Sequence, residues 1–484
     1  MSDAQDPWTS LSATSLSAMM RARKISPSEV VDGVLARIER LNPALRAFLT
    51  VTESLARQQA TAAEHRILTE DVSSLPPLLG VPFAAKDVIA TRGVRTTFGS
   101  PLFANNVPDE NAVAIDRLQN AGAILVGKTN TPEFGLLGET RNLLGNECTN
   151  PWNVTRTSGG SSGGAAAAVA ARLGPFGLGT DGAGSVVAPA AMCGVFGVKA
   201  TRGLIPHTGG RSETGLYTDT GLLVTNTDDA RLLLRTIRGS HRRDPLSRQP
   251  SQRQDSHERS PLRVAVSVDL GHFSADDEAQ QVVWDAAATL EGHSARVVPA
   301  TPDIPNPWEI YDPVFFADAW SSLGEQAEAY PDMFLPDARS EVECGRNITQ
   351  VQVVRSLRRW WEFGWQVQEF FDRFDALLLP TTATSAFPLG QPPRRIGDRD
   401  VRPHWTTFMP FPVAWNLAGN PEVNVPFGFS TDGLPLGVLV VAGHGREDVA
   451  LHIADLLIGD HSIAAPTDSG LQPNPAAREE AQWC

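Results

Sequence analysis

Lysine is the scarcest charged residue in this chain. The 484 residues include 41 lysines and arginines, but only four are lysine: Lys24, Lys86, Lys128 and Lys199. The remaining 37 (41 − 4) are arginine. Where a positive charge alone suffices, the sequence uses arginine, so a retained lysine invites a chemical reason. Arginine keeps its proton in a protein, whereas a buried lysine can lose it and become a base. Lys86 ends the apolar segment Val81-Pro82-Phe83-Ala84-Ala85. Burial there would favour the neutral amine. A structural pairing with Asp87 is the alternative.

Cysteine is also rare. Cys148, Cys193, Cys344 and Cys484 form no CxxC pair and no Cys/His spacing suited to zinc. We expect reduced, structural thiols in a cytoplasmic protein, with neither metal nor cofactor. The ten histidines form no metal pattern either. The first residues lack a basic segment followed by an apolar run, so no secretory leader is expected. No stretch approaches ~20 uninterrupted apolar residues, so no membrane partner is expected. Excess acid, at a net charge of −14, repels phosphate backbones and argues against nucleic acid. What remains is ordinary globular material, 42% hydrophobic and 20% charged, enough for a large core.

Periodicity predicts the framework. Ser26-Pro27-Ser28-Glu29 reads as a helix start. Val30, Val31, Val34, Leu35, Ile38 and Leu41 then follow at helical spacing. Residues 76–90 read as a turn and a buried strand ending near Lys86, and 111–127 as a helix and a strand. Alternating apolar and helical segments imply an α/β chain with a large mixed or mostly parallel sheet covered by helices. Residues 239–261 are polar and aperiodic and read as an exposed, mobile loop. After it, Leu262 to Asp269 reads as a new strand. Residues 471–484 read as a tail, leaving 1–470 as one domain.

Two glycine-rich stretches carry the chemistry. Ser158 to Arg172 reads SGGSSGGAAAAVAAR, and Gly177 to Gly194 reads GLGTDGAGSVVAPAAMCG. Glycines beside a serine permit unusual backbone conformations and expose its hydroxyl and nearby amides. Taken alone, Ser161 or Ser162 reads as the N-cap of the alanine-rich helix. Gly159 to Gly163 imitates a nucleophile elbow, but no strand is expected just before it. Gly177 to Gly182 imitates a dinucleotide fingerprint, but Gly182, Gly184 and Pro189 argue against the helix such a site requires.

Together these pieces resemble the amidase signature family. The resemblance rests on GVPFAAKD (80–87), GKTNTPEFG (127–135), GGSSGGAAAAVAA (159–171), GLGTDGAGS (177–185), CGVFGVKATRG (193–203) and the block at 416–442. It covers residues from about 10 to 458 and implies the amidase signature fold. It further implies a Ser-Ser-Lys triad in which Ser185 attacks an amide carbonyl, Ser161 follows a cis peptide bond, and a neutral Lys86 takes the proton. The amides of Gly182, Ala183, Gly184 and Ser185 would form the oxyanion hole. Lys128 and Lys199 lie in family motifs and read as structural.

The sequence departs from the family pattern at Ala183, at Val187, where an arginine is common, and at Ala200. Val187 removes an expected charge partner of Asp181. The Gly-Ala-Gly-Ser form resembles members acting on nylon-type cyclic amides. In this family 305–365 varies most with substrate. Here that region and its sequel hold Trp308, Phe316, Trp320, Trp405 and Trp415, candidates to wall an apolar or aryl pocket. The resemblance implies a small-molecule amide as substrate, with carbamates and esters as further candidates, and is compatible with a homodimer. The alternative within the family is the glutamine-hydrolysing subunit of a tRNA-dependent amidotransferase. A binding protein that has lost catalysis is the third reading.

Overall fold

The hydroxyl of Ser26 accepts the Glu29 amide at 3.1 Å, and the Glu29 carboxylate accepts the Ser26 amide at 2.8 Å. This reciprocal pair satisfies two otherwise orphaned donors and opens the helix Pro27–Leu45. Its apolar residues Val30, Val31, Val34 and Leu41 are buried, as their spacing predicts. The computed structural model describes residues 8, 10–209, 216–249, 261–459 and 465–468.

Eleven strands form one mixed sheet with helices on both faces, the architecture expected from the sequence. From one edge the strands are Phe48–Val51, Ile124–Thr129, Pro82–Lys86, Phe176–Asp181, Asp219–Val224, Phe196–Lys199, Glu422–Phe429, Pro435–Ala442, Ala376–Pro380, Arg263–Val266 and Arg296–Pro299. Parallel pairs gather in two flanks. Pro82–Lys86 lies between Ile124–Thr129 and Phe176–Asp181, and Arg263–Val266 lies between Ala376–Pro380 and Arg296–Pro299. The pairs linking these flanks are antiparallel.

The first flank positions the chemistry. Because Pro82–Lys86 and Phe176–Asp181 are parallel neighbours, their C-terminal ends share one edge of the sheet. Ligand sites of open α/β sheets form at such ends. The helix Gly163–Ala170 packs beside this edge, and all eight of its residues are buried. Small residues permit that approach: a Cβ on Gly164 would lie 2.5 Å from the Asn130 backbone and 2.7 Å from the Ala47 carbonyl. Phe176–Asp181 is strand throughout, so the GxGxxG run opens no helix.

Of the expected loop 239–261, residues 239–249 are tied down. Asp244 is buried and accepts the His207 amide at 3.0 Å, and the Arg248 amide donates to the Gly203 carbonyl at 2.7 Å. Residues 250–260 and the expected tail at 471–484 lie outside the described residues. Just before that tail, Asp468 pairs with Arg37 at 2.6 Å and with Arg40 at 3.0 Å.

Candidate active site

Three of the four lysines are wholly buried. Lys86, Lys128 and Lys199 have no solvent exposure, while Lys24 is exposed. Each buried lysine stands at or near the end of its strand, and its partners differ in kind. Lys128 donates to the Ile89 carbonyl at 2.5 Å and to the Thr96 hydroxyl at 2.7 Å, with Asp87 3.8 Å away. Burial pulls the Lys128 amine down to about 8, against the opposing pull of Asp87. Lys199 donates to the Asn420 carbonyl at 2.5 Å and sits 3.4 Å from Glu422. Burial pushes the Glu422 carboxyl well above the usual range, against the pull of Lys199. These two lysines hold carbonyls and carboxylates inside the core.

Lys86 reaches two hydroxyls. Its Nζ lies 2.5 Å from Ser161 Oγ and 2.8 Å from Thr180 Oγ1. A hydroxyl can donate back to a neutral amine, which a carbonyl cannot. Ser161 follows a cis peptide bond from Gly160. The Ser162 amide donates to the Ser185 carbonyl at 3.0 Å, which ties the first glycine-serine turn to the second. Ser161, Thr180 and Ser185 line one cavity together with Gly182 and Ala183. Ser161 is 1% exposed, whereas Ser185 is half-buried. Sequence reasoning did not single out Thr180, although it lies inside the GLGTDGAGS run.

Asp181 shapes the turn carrying Ser185. Its carboxylate accepts the amides of Gly184 at 2.6 Å, Val186 at 2.6 Å and Val187 at 3.3 Å. The Asn416 amide group adds contacts at 3.0 Å to the Asp181 carbonyl and 3.1 Å to its carboxylate. Asp181 thus exchanges an arginine partner for backbone donors, two of them at the start of the helix Val187–Cys193. This is how the chain accommodates valine at 187. The same contacts commit the Gly184 amide to Asp181. Arg202 backs the arrangement by donating to the Asn416 carbonyl.

The rest of the cavity wall is aromatic and apolar. Phe134, Tyr217, Tyr311, Phe315, Trp405 and Met409 contribute, and no charged side chain lines it among the described residues. Of the five aromatic candidates, Trp405 lies in this wall. Its indole N–H donates to Glu341 at 3.3 Å, and Glu341 in turn meets His404 at 2.7 Å. Trp308 stands one layer behind, its ring 5.2 Å from that of Trp405. The other three do not line the cavity. Trp415 has no exposure and packs on Phe371 as core. Trp320 lies under the Arg346 guanidinium at 5.0 Å, and Phe316 packs on the far side of Phe315. Helical phase separates them from the wall: Tyr311, Phe315 and Ala319 follow at four-residue steps on the inner face of Trp308–Ala329. Tyr217, Phe134 and Met409 come from distant segments and gave no local signal.

Known proteins similar to this chain share one family. A family model described as Amidase matches residues 29–451. An acylamidase of Rhodococcus erythropolis is 36% identical over 458 residues, covering 92% of this chain and 94% of that protein. A glutamyl-tRNA(Gln) amidotransferase subunit of Roseiflexus sp. (strain RS-1) is 34% identical over 474 residues, covering 90% and 93%. Among solved structures, a 6-aminohexanoate cyclic dimer hydrolase complexed with substrate superposes with a TM-score of 0.85 at 27% identity, covering 96% of this chain and all of that one.

The Asp181 contacts generate a prediction. Asp181→Asn places an amide donor against backbone donors and frees the turn at 182–186. The variant should fold, by far-ultraviolet circular dichroism, with stability lowered by about 1–3 kcal/mol. Its kcat should fall about 100-fold or more, with KM little changed. An unaltered kcat would show that Asp181 does not shape the site.

Proposed function

This chain belongs to the amidase family, the amidase signature enzymes, and hydrolyses amide bonds; we propose that it does so through an acyl-enzyme on Ser185, acting on apolar or aryl amides. The observation that carries the mechanism is Lys86 Nζ 2.5 Å from Ser161 Oγ, with Ser161 and Ser185 on one cavity. In this reading a neutral Lys86 takes the proton of Ser161 as Ser161 takes that of Ser185, and Ser185 Oγ attacks the carbonyl. The proton returns through Ser161 to the departing amine. Water then gives a proton to Lys86 through Ser161 as its oxygen attacks the ester on Ser185, and that proton returns through Ser161 to Ser185 Oγ as the acid leaves. A weak hydroxyl nucleophile needs such a base, and an amine leaving group needs such an acid.

The tetrahedral oxyanion would be met by the amides of Gly182, Ala183 and Ser185. Gly184 was expected among these donors, but its amide serves Asp181, so in this reading it shapes the hole from behind. One oxyanion donor contributes about 3–4 kcal/mol to barrier lowering. The uncharged, aromatic wall favours apolar or aryl amides, and it supports the same preference among carbamates and esters. The acylamidase relative supports an amide as the substrate class.

The amidotransferase relative keeps a second reading in play, a glutamine-hydrolysing subunit. The wall weighs against it, because the charged ends of free glutamine meet no charged lining residue among those described. The net charge of −14 also disfavours tRNA.

Two measurements test this reading. Against a panel of anilides, alkyl amides, carbamates and glutamine, the purified chain should prefer anilides, and Ser185→Ala should lose at least about 1,000-fold in kcat. Glutamine as the preferred substrate would overturn the substrate assignment, and full activity in Ser185→Ala would overturn the nucleophile. Since Lys86 must be neutral in the free enzyme, kcat/KM should rise about tenfold per pH unit below its pKa and level off above it. A flat profile with chemistry limiting would remove Lys86 as the base.

A further inference from the structure

The helix Gln350–Arg373 is buried along one side. Ser356, Phe363, Val367 and Phe370 face inward. Trp360 packs on Tyr217 of the cavity wall, with ring centres 6.4 Å apart. The opposite side is unexpectedly apolar. Of sixteen exposed large hydrophobic residues among those described, five lie on this helix: Val351, Val354, Leu357, Trp361 and Trp365. Trp361 at 70% and Trp365 at 61% are the two most exposed of all sixteen. The aromatic content of 305–365 therefore does not all serve the cavity. A contiguous apolar stripe of this kind marks an interaction surface.

The stripe has a helix-pairing pattern. Val351, Val354, Trp361 and Trp365 advance together with Arg358, Gln368 and Asp372 in alternating steps of three and four, the spacing of a two-helix seam, here with a mixed apolar and polar face. Charge is divided along it. Exposed Arg355 and Arg358 occupy the first half, and exposed Glu362, Glu369 and Asp372 the second. Arg359 is turned aside to pair with Glu309 at 3.1 Å.

We propose that this face docks antiparallel against the same face of a second copy of the chain, about a twofold axis passing near Trp361. Each Trp361 then meets its symmetry mate. Arg358 lies over Trp365 of the second copy, and Arg355 faces Glu369 of the second copy. A parallel pairing would set Arg358 against Arg358 and Asp372 against Asp372, whereas of these charges the antiparallel one sets only Glu362 near its own symmetry mate. A lipid surface fits less well, since it would press Glu369 and Asp372 of an already acidic chain toward anionic headgroups. One helix pair buries an area at the small end of specific interfaces, below about 1,200 Å², so the dimer should dissociate on dilution.

The test is sedimentation equilibrium of the full chain over a concentration series, with variants checked for folding by circular dichroism. The wild type should pass from one to two chain masses. The double variant Trp361→Glu/Trp365→Glu should weaken association at least tenfold while leaving activity per chain unchanged. Arg355→Glu/Arg358→Glu should also weaken it, and adding Glu369→Arg/Asp372→Arg should restore it. A chain that stays monomeric throughout would overturn the proposal. So would a dimer indifferent to these changes, or a folded four-residue charge exchange that fails to restore association. Binding of a monomeric chain to phosphatidylglycerol–phosphatidylcholine vesicles that is lost in the tryptophan variant would also overturn it, in favour of a lipid surface.

Discussion

The contact between Lys86 Nζ and Ser161 Oγ is the constraint that the rest of the site serves. An amine with no solvent exposure cannot be charged cheaply, because burial removes the hydration that stabilises the ion. The Ser161 and Thr180 hydroxyls beside it can each donate a proton to a neutral amine. Holding it there requires two parallel strands whose ends coincide, a turn that delivers Ser161, and a helix thin enough to pack beside them. The glycines and alanines between 159 and 171 meet that last need, as Gly164 against the Asn130 backbone illustrates.

The second half of the site is organised by a buried anion rather than a buried base. Asp181 gathers three backbone amides around the Ser185 turn and leans on Asn416 and, through it, Arg202. Those backbone donors satisfy the Asp181 oxygens in place of an arginine. Valine at 187 is therefore compatible with an intact turn. Of the expected oxyanion donors, Gly184 is the one whose amide instead holds the loop.

The sequence made Lys86, Ser161 and Ser185 legible because each lies in a long motif and because lysine is so rare here. The census alone singled out Lys128 and Lys199 equally, and both proved just as buried. Only their partners separate them from Lys86, and partners depend on strand pairing that no local pattern displays. The helix at 27–45 and the strand ending at Lys86 were readable from capping and apolar runs. The cavity wall was not. Tyr217, Phe134 and Met409 arrive from three separate segments, and Trp415 is indistinguishable by composition from a pocket residue although it is core. Trp361 and Trp365 have the composition of core residues yet face solvent.

The central claim is that the acyl group is carried by Ser185. Intact-mass spectrometry of the enzyme, acid-quenched during turnover of an activated aryl ester or anilide, measures this directly, with peptide mapping of the adduct. If Ser185 carries the acyl group, one acyl group per chain appears on the peptide containing Ser185 and none appears in Ser185→Ala. An adduct on Ser161, or turnover with no adduct under conditions where deacylation limits the rate, would contradict it.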